Sequence, residues 1–194
     1  ILPVGVSFYT FQSISYLADV YTNKIKPERR FFDYALFVAF FPQLVAGPIE
    51  RSGHMLPQYK FPRHITSQKN REGIWFIVWG FFLKVFLADN MARVVNLVFN
   101  QTGDVPGIEV LFGTYAFAFQ VFGDFAGYSF IAMGAARILG IDLMTNFLFP
   151  YFVTNPREFW RNWHISLSSW LRDYVYIPLG GNRQGEMNTC RNLF

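Results

Sequence analysis

Two long apolar stretches, residues 73–99 and 108–139, constrain the fold of this chain more than any other feature. A helix rises about 1.5 Å per residue, so roughly 20 residues cross the ~30 Å hydrocarbon core of a bilayer. The first stretch is long enough to cross, although Lys84 interrupts it. The second returns and ends at Arg137, and Asp124 joins two uncharged windows that are each shorter than a span. The sequence therefore predicts an all-α, polytopic membrane helical bundle.

The composition supports a membrane protein. Of the 194 residues, 52% are hydrophobic, 20% aromatic and only 15% charged, whereas soluble proteins carry about 25% charged residues. The net charge of +4 comes from loops between apolar stretches, which suits a membrane lipid surface and not nucleic acid. No linker or repeat divides the chain, so residues 1–194 are expected to form a single domain. The start without methionine and the end at "RNLF" predict the central part of a longer protein, truncated at both ends.

The segment "YALFVAFFPQLVAGPI" (34–49) is uncharged but interrupted by Pro42 and by Gly47-Pro48, so its intact pieces are too short to cross a bilayer. Basic loops precede and follow it. Because basic loops stay on the cytoplasmic side, two of them flanking one crossing would be unusual. A re-entrant or broken element is therefore predicted, with Lys26 and Lys60 on the same, cytoplasmic side. The loop "NQTGDVPG" (100–107) has no basic residue and is expected outside.

The stretch "NPREFWRNWHISLSSWLRDYVYIPLGG" (155–181) begins with helix-start signals, Asn155 at the N-cap, Pro156 at N1 and Glu158 at N3. The sequence predicts one amphipathic helix over 156–176. At 100° per residue, one side of this helix is an apolar arc of about 120°. On the other side of His164, within about 80°, lies a cationic strip made of Arg157, Arg161, Ser168 and Arg172, so that His164 lies on the seam between the two.

Three arginines in hydrocarbon would be too costly, so this helix is not expected to span the membrane. Two interpretations remain open. In one, it lies at the interface, where its arginines meet lipid headgroups and His164 is an ordinary polar residue. In the other, the strip lines a polar cavity in which His164 acts.

Gln120, Asp124 and Tyr128 are four residues apart and form one stripe on the 108–139 helix. Gly123 and Gly127 would let another helix approach closely. A carboxylate within the membrane is costly, so Asp124 is expected either to be buried with a partner or to serve a functional site. Buried polar support, through a hydrogen bond or ion pair between helices, is the favoured alternative.

No metal site is expected from the sequence. His54 and His64 are ten residues apart in a loop, without carboxylates at ligand spacing. The glycine-rich "GGNRQG" lacks the lysine and hydroxyl residue of a phosphate-binding loop, and there is no G-x-S-x-G nucleophile motif.

Four stretches, in order, carry a family resemblance: "PVGVSFYTFQSISYLADVY", "FFPQLVAGPI", "DFAGYS" and "FWRNWHISLSSWLRDYVYIPLGGNR". The chain resembles the membrane-bound O-acyltransferases (MBOAT), of the bacterial alginate O-acetyltransferase type. The resemblance implies a multi-pass helical bundle of the bacterial inner membrane, with cavities entering from both faces. It implies an enzyme of polysaccharide O-acetylation, which moves an acyl group across that membrane to hydroxyls of an exported polysaccharide such as alginate.

The same resemblance implies roles for individual residues. His164, in "WHIS", is the first of two family histidines; the second lies in a later "WHG" segment beyond residue 194, so this fragment is expected to be inactive alone. A histidine beside the cationic strip would stay neutral and able to accept a proton. The strip would contact an anionic carrier or the polysaccharide.

No bound cofactor is implied. The acyl donor, acetyl-CoA or an acyl-carrier thioester, enters as a substrate. Expected partners are the polysaccharide acceptor and periplasmic or extracellular acetyltransferase proteins. Three alternatives remain: D-alanyl transfer to teichoic acid by a family relative, a channel or transporter subunit, and a non-catalytic membrane scaffold.

Overall fold

A computed structural model describes residues 5–101, 103–183, 185 and 187–189. Every regular element in these ranges is helical and none of them is a strand, which confirms the all-α prediction. The elements are α1 (Val6–Tyr21), α2 (Phe31–Ala39), α3 (Ser52–Lys60), α4 (Ser67–Phe81), the π-helical segment π1 (Phe82–Ala88), α5 (Asp89–Phe99), α6 (Gly107–Ile138), α7 (Pro156–Asn162), α8 (Ile165–Leu171) and the π-helical segment π2 (Arg172–Tyr176).

The chain divides into two compact units. Unit 1 consists of Ile1–Arg63 and Leu143–Phe194, and unit 2 consists of His64–Asp142. Unit 1 therefore contains α1 to α3, α7, α8 and π2, whereas unit 2 contains α4, π1, α5 and α6.

In unit 1, helix α1 buries polar residues and exposes apolar ones. Its buried positions are Gln12, Ser15 and Asp19. Leu17, in contrast, is 63% exposed. A water-soluble helix has the opposite arrangement, because apolar side chains drive its burial. Polar residues that face inward and apolar residues that face outward are expected when the surroundings are lipid.

The predicted break at Pro42 is confirmed. Helix α2 ends at Ala39, and turns follow through residues 41–46. Within these turns, the buried Gln43 donates from Nε2 to the carbonyl oxygen of Phe37 at 3.3 Å. A Cβ on Gly47 would lie 2.4 Å from the Cα of Gln43, so only glycine permits this close turn. The apolar segment is thus two short pieces and not a continuous span.

Unit 2 is a helical hairpin. Its two arms, Ser67–Phe99 and Gly107–Ile138, are long and apolar enough to cross a membrane by length and composition. The arms touch through glycines spaced seven residues apart. A Cβ on Gly80 would lie 2.6 Å from the carbonyl oxygen of Gly127, and one on Gly73 would lie 2.9 Å from that of Gly134. Small residues at helical spacing let the two backbones meet, as the Gly123 and Gly127 spacing predicted for α6.

The prediction of one continuous helix over 156–176 is wrong. Helix α7 ends at Asn162, Trp163 is extended, and His164 has left-handed dihedral angles (φ 44°, ψ 54°) before α8 begins. The cause is a tertiary contact with residues 146–148. Leu148 N donates to the carbonyl oxygen of Asn162, and Ile165 N donates to that of Asn146, each at 3.0 Å. These backbone hydrogen bonds replace helical ones at the break.

Candidate functional site

The break between α7 and α8 positions the imidazole of His164. The start of α7 follows the predicted capping, because Asn155 Oδ1 accepts from Glu158 N at 3.0 Å. The start of α8 is different, since its N-cap residue is His164 itself. A non-glycine residue in the left-handed region is uncommon, and histidine is among the types that tolerate it. Such a conformation persists only where surrounding contacts impose it, and it often marks a functional position.

Asn146 supplies the contacts that surround this break. Its side chain is 1% exposed. Oδ1 lies 3.1 Å from Nδ1 of His164 and accepts from Oγ of Ser166 at 2.9 Å. It also accepts from the backbone N–H of Ser166 at 3.4 Å. One buried amide oxygen therefore joins the imidazole to the first turn of α8.

The imidazole of His164 is neutral, and burial is the reason. Burial lowers the pKa of His164 from 6.5 to about 4, because a charged imidazolium would lose its hydration. The sequence predicted a neutral histidine through repulsion by neighbouring arginines. The structure gives the same protonation state through a different cause.

The break separates the members of the expected cationic strip: Arg157, Arg161, Ser168 and Arg172. Arg157 and Arg161 are exposed on α7. Arg172 is exposed on π2 and its Nε donates to Asp173 at 2.8 Å. Ser168 donates from Oγ to the carbonyl oxygen of Trp163 at 3.2 Å. The strip therefore does not lie along one continuous helix.

The apolar arc is divided in the same way. The ring of Trp163, just after α7, packs on the segment before α7, at 5.1 Å from Phe147 and 6.1 Å from Tyr151 between ring centroids. The ring of Trp170 on α8 instead packs on α1, at 4.7 Å from Phe11, and its Nε1 donates to the Phe11 carbonyl oxygen at 3.0 Å. Two separate aromatic clusters thus hold the two sides of His164.

A polar cluster formed by side chains of α1, α8 and π2 with Arg51, the residue before α3, was not predicted. Tyr174 donates from its hydroxyl to Asp19 Oδ2 at 2.7 Å. The guanidinium of Arg51 lies 5.0 Å from the centre of the Tyr174 ring and donates to Oγ of Ser169 at 3.4 Å. Burial, and then the neighbouring Asp19, raise the pKa of Tyr174, which keeps its hydroxyl a donor. The sequence did carry one signal for this cluster, an acidic residue inside an apolar helix.

Glu50 is a second residue that sequence reasoning missed. Its side chain is fully buried, at 0% exposed. One carboxylate oxygen lies 2.7 Å from Nδ1 of His54, and the other accepts from the backbone N–H of Met144. Glu50 therefore anchors the segment that leads to Asn146. It also lies four residues before His54, a carboxylate neighbour that the prediction for this loop left out.

The polar stripe of unit 2 is built around an ion pair. Nζ of Lys84 lies 2.7 Å from Asp124 and 2.7 Å from Asp89. Residues five apart on an α-helix point about 140° away from each other. In π1 the wider turn brings Lys84 and Asp89 together. Gln120 and Tyr128 are half-buried on the same helix as Asp124. The contact between Lys84 and Asp124 is an ion pair between helices, as the favoured alternative predicted, but the two side chains are 45% and 41% exposed, so the pair is not buried.

No metal site is visible in the part of the chain that the structure describes, because no three His, Cys, Asp or Glu side chains cluster there.

The chemistry of the site rests on the imidazole of His164. A neutral, mostly buried imidazole can take a proton from a hydroxyl group, which transfer of an acyl group to an alcohol requires.

Two helices long and apolar enough to cross a membrane, with large apolar side chains exposed along them, indicate a helical membrane protein, and its half-buried His164 contacts a buried asparagine. The family model of the membrane-bound O-acyltransferases matches residues 26–194, and the chain belongs to that family.

Three relatives illustrate its range. The chain is 46% identical over 194 residues to the probable alginate O-acetylase AlgI of Pseudomonas putida, covering all of this chain and 40% of that protein. It is 37% identical over 219 residues to the peptidoglycan O-acetyltransferase of Helicobacter pylori, covering 100% of this chain and 42% of that protein. The teichoic acid D-alanyltransferase of Bacillus subtilis is 30% identical over 178 residues, with 90% of this chain and 45% of that protein covered. The chain thus spans less than half the length of each of these relatives.

Proposed function

We propose that the protein containing this chain is a multi-pass O-acyltransferase of the bacterial inner membrane that acetylates hydroxyls of an exported polysaccharide such as alginate. The observation that carries this proposal is the 46% identity to a probable alginate O-acetylase along the whole chain. The buried neutral His164 supports it, because a proton acceptor is needed where a hydroxyl attacks.

In the proposed reaction, the hydroxyl oxygen of the acceptor attacks the carbonyl carbon of a thioester donor, which is acetyl-CoA or an acyl carrier. A C–O bond forms, the C–S bond breaks, and the thiolate leaves. The imidazole of His164 takes the hydroxyl proton and returns it to the thiolate, so the site ends as it began. His164 is the proposed catalytic residue of this chain.

The residues expected to contact an anionic carrier differ in how well their positions suit such contact. Arg157 and Arg161 are exposed on α7. Arg172 already has a carboxylate neighbour and Ser168 already donates to a backbone carbonyl. Arg157 and Arg161 are therefore the stronger candidates for contact with an anionic carrier or with lipid headgroups.

Gln120, Asp124 and Tyr128 are proposed as polar support within unit 2. Acetyltransferase proteins outside the membrane are the proposed partners.

D-alanyl transfer is the second candidate, because the D-alanyltransferase relative is 30% identical over 178 residues. Acetyl transfer is favoured by the higher identity of the acetylating relatives. The chemical identity of the ester on the exported polymer distinguishes the two candidates directly.

The first prediction concerns His164→Asn in the full-length protein, expressed in a host that lacks its own copy. Asparagine tolerates the left-handed backbone at this position but accepts no proton. We expect ester acetate on the exported polysaccharide to fall about 10²–10⁴-fold while the membrane level of the protein is unchanged. Base hydrolysis and chromatography of the released acid measure the ester.

The matched control is His64→Asn, the same substitution at an exposed histidine; it should acetylate as the wild type does. Full acetylation by His164→Asn would remove His164 from the chemistry. Release of D-alanine in place of acetate would favour the second candidate.

A further inference from the structure

We propose that Asn146 is a positioning residue that holds His164 in the Nδ1–H tautomer and so makes Nε2 the nitrogen that accepts the proton. The inference rests on the proposed function for its kinetic consequence, but the tautomer itself is a property of the structure. It starts from the 3.1 Å contact between Asn146 Oδ1 and His164 Nδ1.

The orientation of the Asn146 amide is determined by Ser166. The amide oxygen and nitrogen of an asparagine look alike, so their placement has to be argued from neighbours. A backbone N–H can only donate a hydrogen bond. Because the N–H of Ser166 points at this atom of Asn146 at 3.4 Å, the atom is the carbonyl oxygen. The Oγ of Ser166, at 2.9 Å, donates to the same oxygen.

The amide orientation determines the tautomer. An amide oxygen only accepts, so Nδ1 of His164 must be the donor in this contact and must carry a proton. A neutral imidazole has one N–H, and the other ring nitrogen then carries the lone pair. Nε2 is therefore the basic nitrogen of the neutral side chain. Burial keeps the imidazole neutral, so a single tautomer is meaningful here.

Asn146 is also well placed to hold this geometry rigidly. Its carbonyl oxygen accepts from Ile165 N at 3.0 Å while its side chain contacts the residues on either side, His164 and Ser166. The buried carboxylate of Glu50 holds Met144, two residues earlier in the same segment. Three consecutive residues around the left-handed backbone of His164 are thus tied to one buried asparagine.

The alternative is that Asn146 only stabilises the first turn of α8, as Asn155 stabilises α7 through the N–H of Glu158. The two roles predict different behaviour for two substitutions. Asn146→Asp keeps an acceptor oxygen facing Nδ1 and should preserve the tautomer. Asn146→Leu removes the acceptor with little change in volume, which lets the proton move to Nε2.

The test uses the full-length protein labelled with nitrogen-15 at histidine and reconstituted in lipid. Solid-state NMR distinguishes a protonated from an unprotonated ring nitrogen, and His164→Asn identifies the His164 signals by their loss. We expect Nδ1 protonated and Nε2 unprotonated in the wild type and in Asn146→Asp, and a mixture in Asn146→Leu. A protonated Nε2 in the wild type, or an unchanged tautomer in Asn146→Leu, would overturn the proposal.

Kinetics give the second readout. Asn146→Leu should lower kcat by about 10²-fold with KM changed by less than about threefold, because binding is kept and proton transfer is impaired. Asn146→Asp should restore kcat to within about tenfold of the wild type. Asn155→Leu is the structural control and should lower stability with kcat per folded enzyme nearly unchanged. Equal kcat losses in Asn146→Leu and Asn146→Asp would overturn the positioning role.

The two proposals fail in different ways. If the full-length wild type transfers no acyl group, the proposed function fails while the NMR spectra still test the tautomer. If Asn146→Leu does not accumulate, the wild-type spectrum and the Asn146→Asp variant still decide the question.

Discussion

At the scale of single residues, His164 shows how backbone and protonation are coupled. Its backbone is left-handed, and the burial of its ring lowers its pKa. Alanine at this position would be strained, by roughly 1–2 kcal/mol for a side chain with a Cβ in that region. Asparagine is therefore the better substitution for separating function from folding.

The lowered pKa of His164 predicts a dependence of stability on pH. The folded pKa is about 4, against 6.5 for an ordinary histidine. The unfolded state then binds the proton more readily, so the contribution of His164 to stability is complete above pH 6.5 and is lost as the pH falls through about 4. At about 1.4 kcal/mol per pKa unit, and allowing for partial exposure, we expect about 1–2 kcal/mol to be lost by pH 5.

Thermal unfolding in detergent at about pH 7.5 and pH 5 measures this effect. His164→Asn is the reference, because it lacks the titrating group while the other carboxylates and histidines titrate as before. The wild type should lose more stability than His164→Asn over this interval. Equal losses would show that His164 can be protonated in the folded protein without cost.

At the scale of elements, the sequence predicted whether a segment is helical better than it predicted whether the helix is continuous. Helix α6 was predicted as 108–139 and runs over Gly107–Ile138. The helix over 156–176 was predicted as continuous and is broken, although its first residues follow the predicted capping. The difference is that α6 depends on local periodicity, whereas the break at His164 depends on residues 146–148. Periodicity within a segment carries no information about a partner segment that accepts its hydrogen bonds.

The glycine contacts of unit 2 give an element-scale prediction for Gly134→Ala. The added Cβ would lie 2.4 Å from the carbonyl oxygen of Gly73 and 2.9 Å from the backbone nitrogen of Ile77. Because both are backbone atoms, the two helices must separate, and overpacking of this kind costs about 1–3 kcal/mol.

Gly107→Ala is the control in the same helix. A Cβ there would meet nothing within 4 Å, so we expect a neutral effect or a gain of about 0.5–1 kcal/mol from reduced chain entropy. Thermal unfolding in detergent compares the two variants. Equal stability would mean that the close approach of α4 and α6 is not needed for the fold.

At the scale of the whole molecule, topology in the membrane follows from charge and from one ion pair in unit 1. Lys60, at the end of α3, pairs with Glu28 in the loop before α2. Residues on opposite faces of a bilayer cannot touch, so this ion pair predicts that the broken segment between them returns to its original side. This contact supports the predicted re-entrant character of residues 34–49.

Cysteine labelling tests this topology in the full-length protein. Lys26→Cys and Arg63→Cys should react with a membrane-impermeant reagent only from the cytoplasmic face. Asp104→Cys, in the loop without basic residues, should react only from outside. Both of the first two sites are exposed and leave the pair between Lys60 and Glu28 intact. Reaction of Lys26→Cys and Arg63→Cys from opposite faces would contradict the re-entrant segment.

Local sequence was sufficient for the helical class, the membrane character and the break at Pro42. These depend on composition, on spacing along one helix and on the backbone limits of proline, all of which act within a few residues. Local sequence also predicted a partner for Asp124, because a carboxylate in an apolar helix requires one.

Tertiary structure decided which residues surround His164. Asn146, which contacts His164, and Glu50, which holds Met144 in the segment before Asn146, lie 18 and 114 residues away from it in sequence. The neutral state of the imidazole comes from burial and not from the arginines beside it in sequence. Hydrogen bonds and burial depend on distance in space, and only the folded chain brings Asn146 Oδ1 within 3.1 Å of His164 Nδ1.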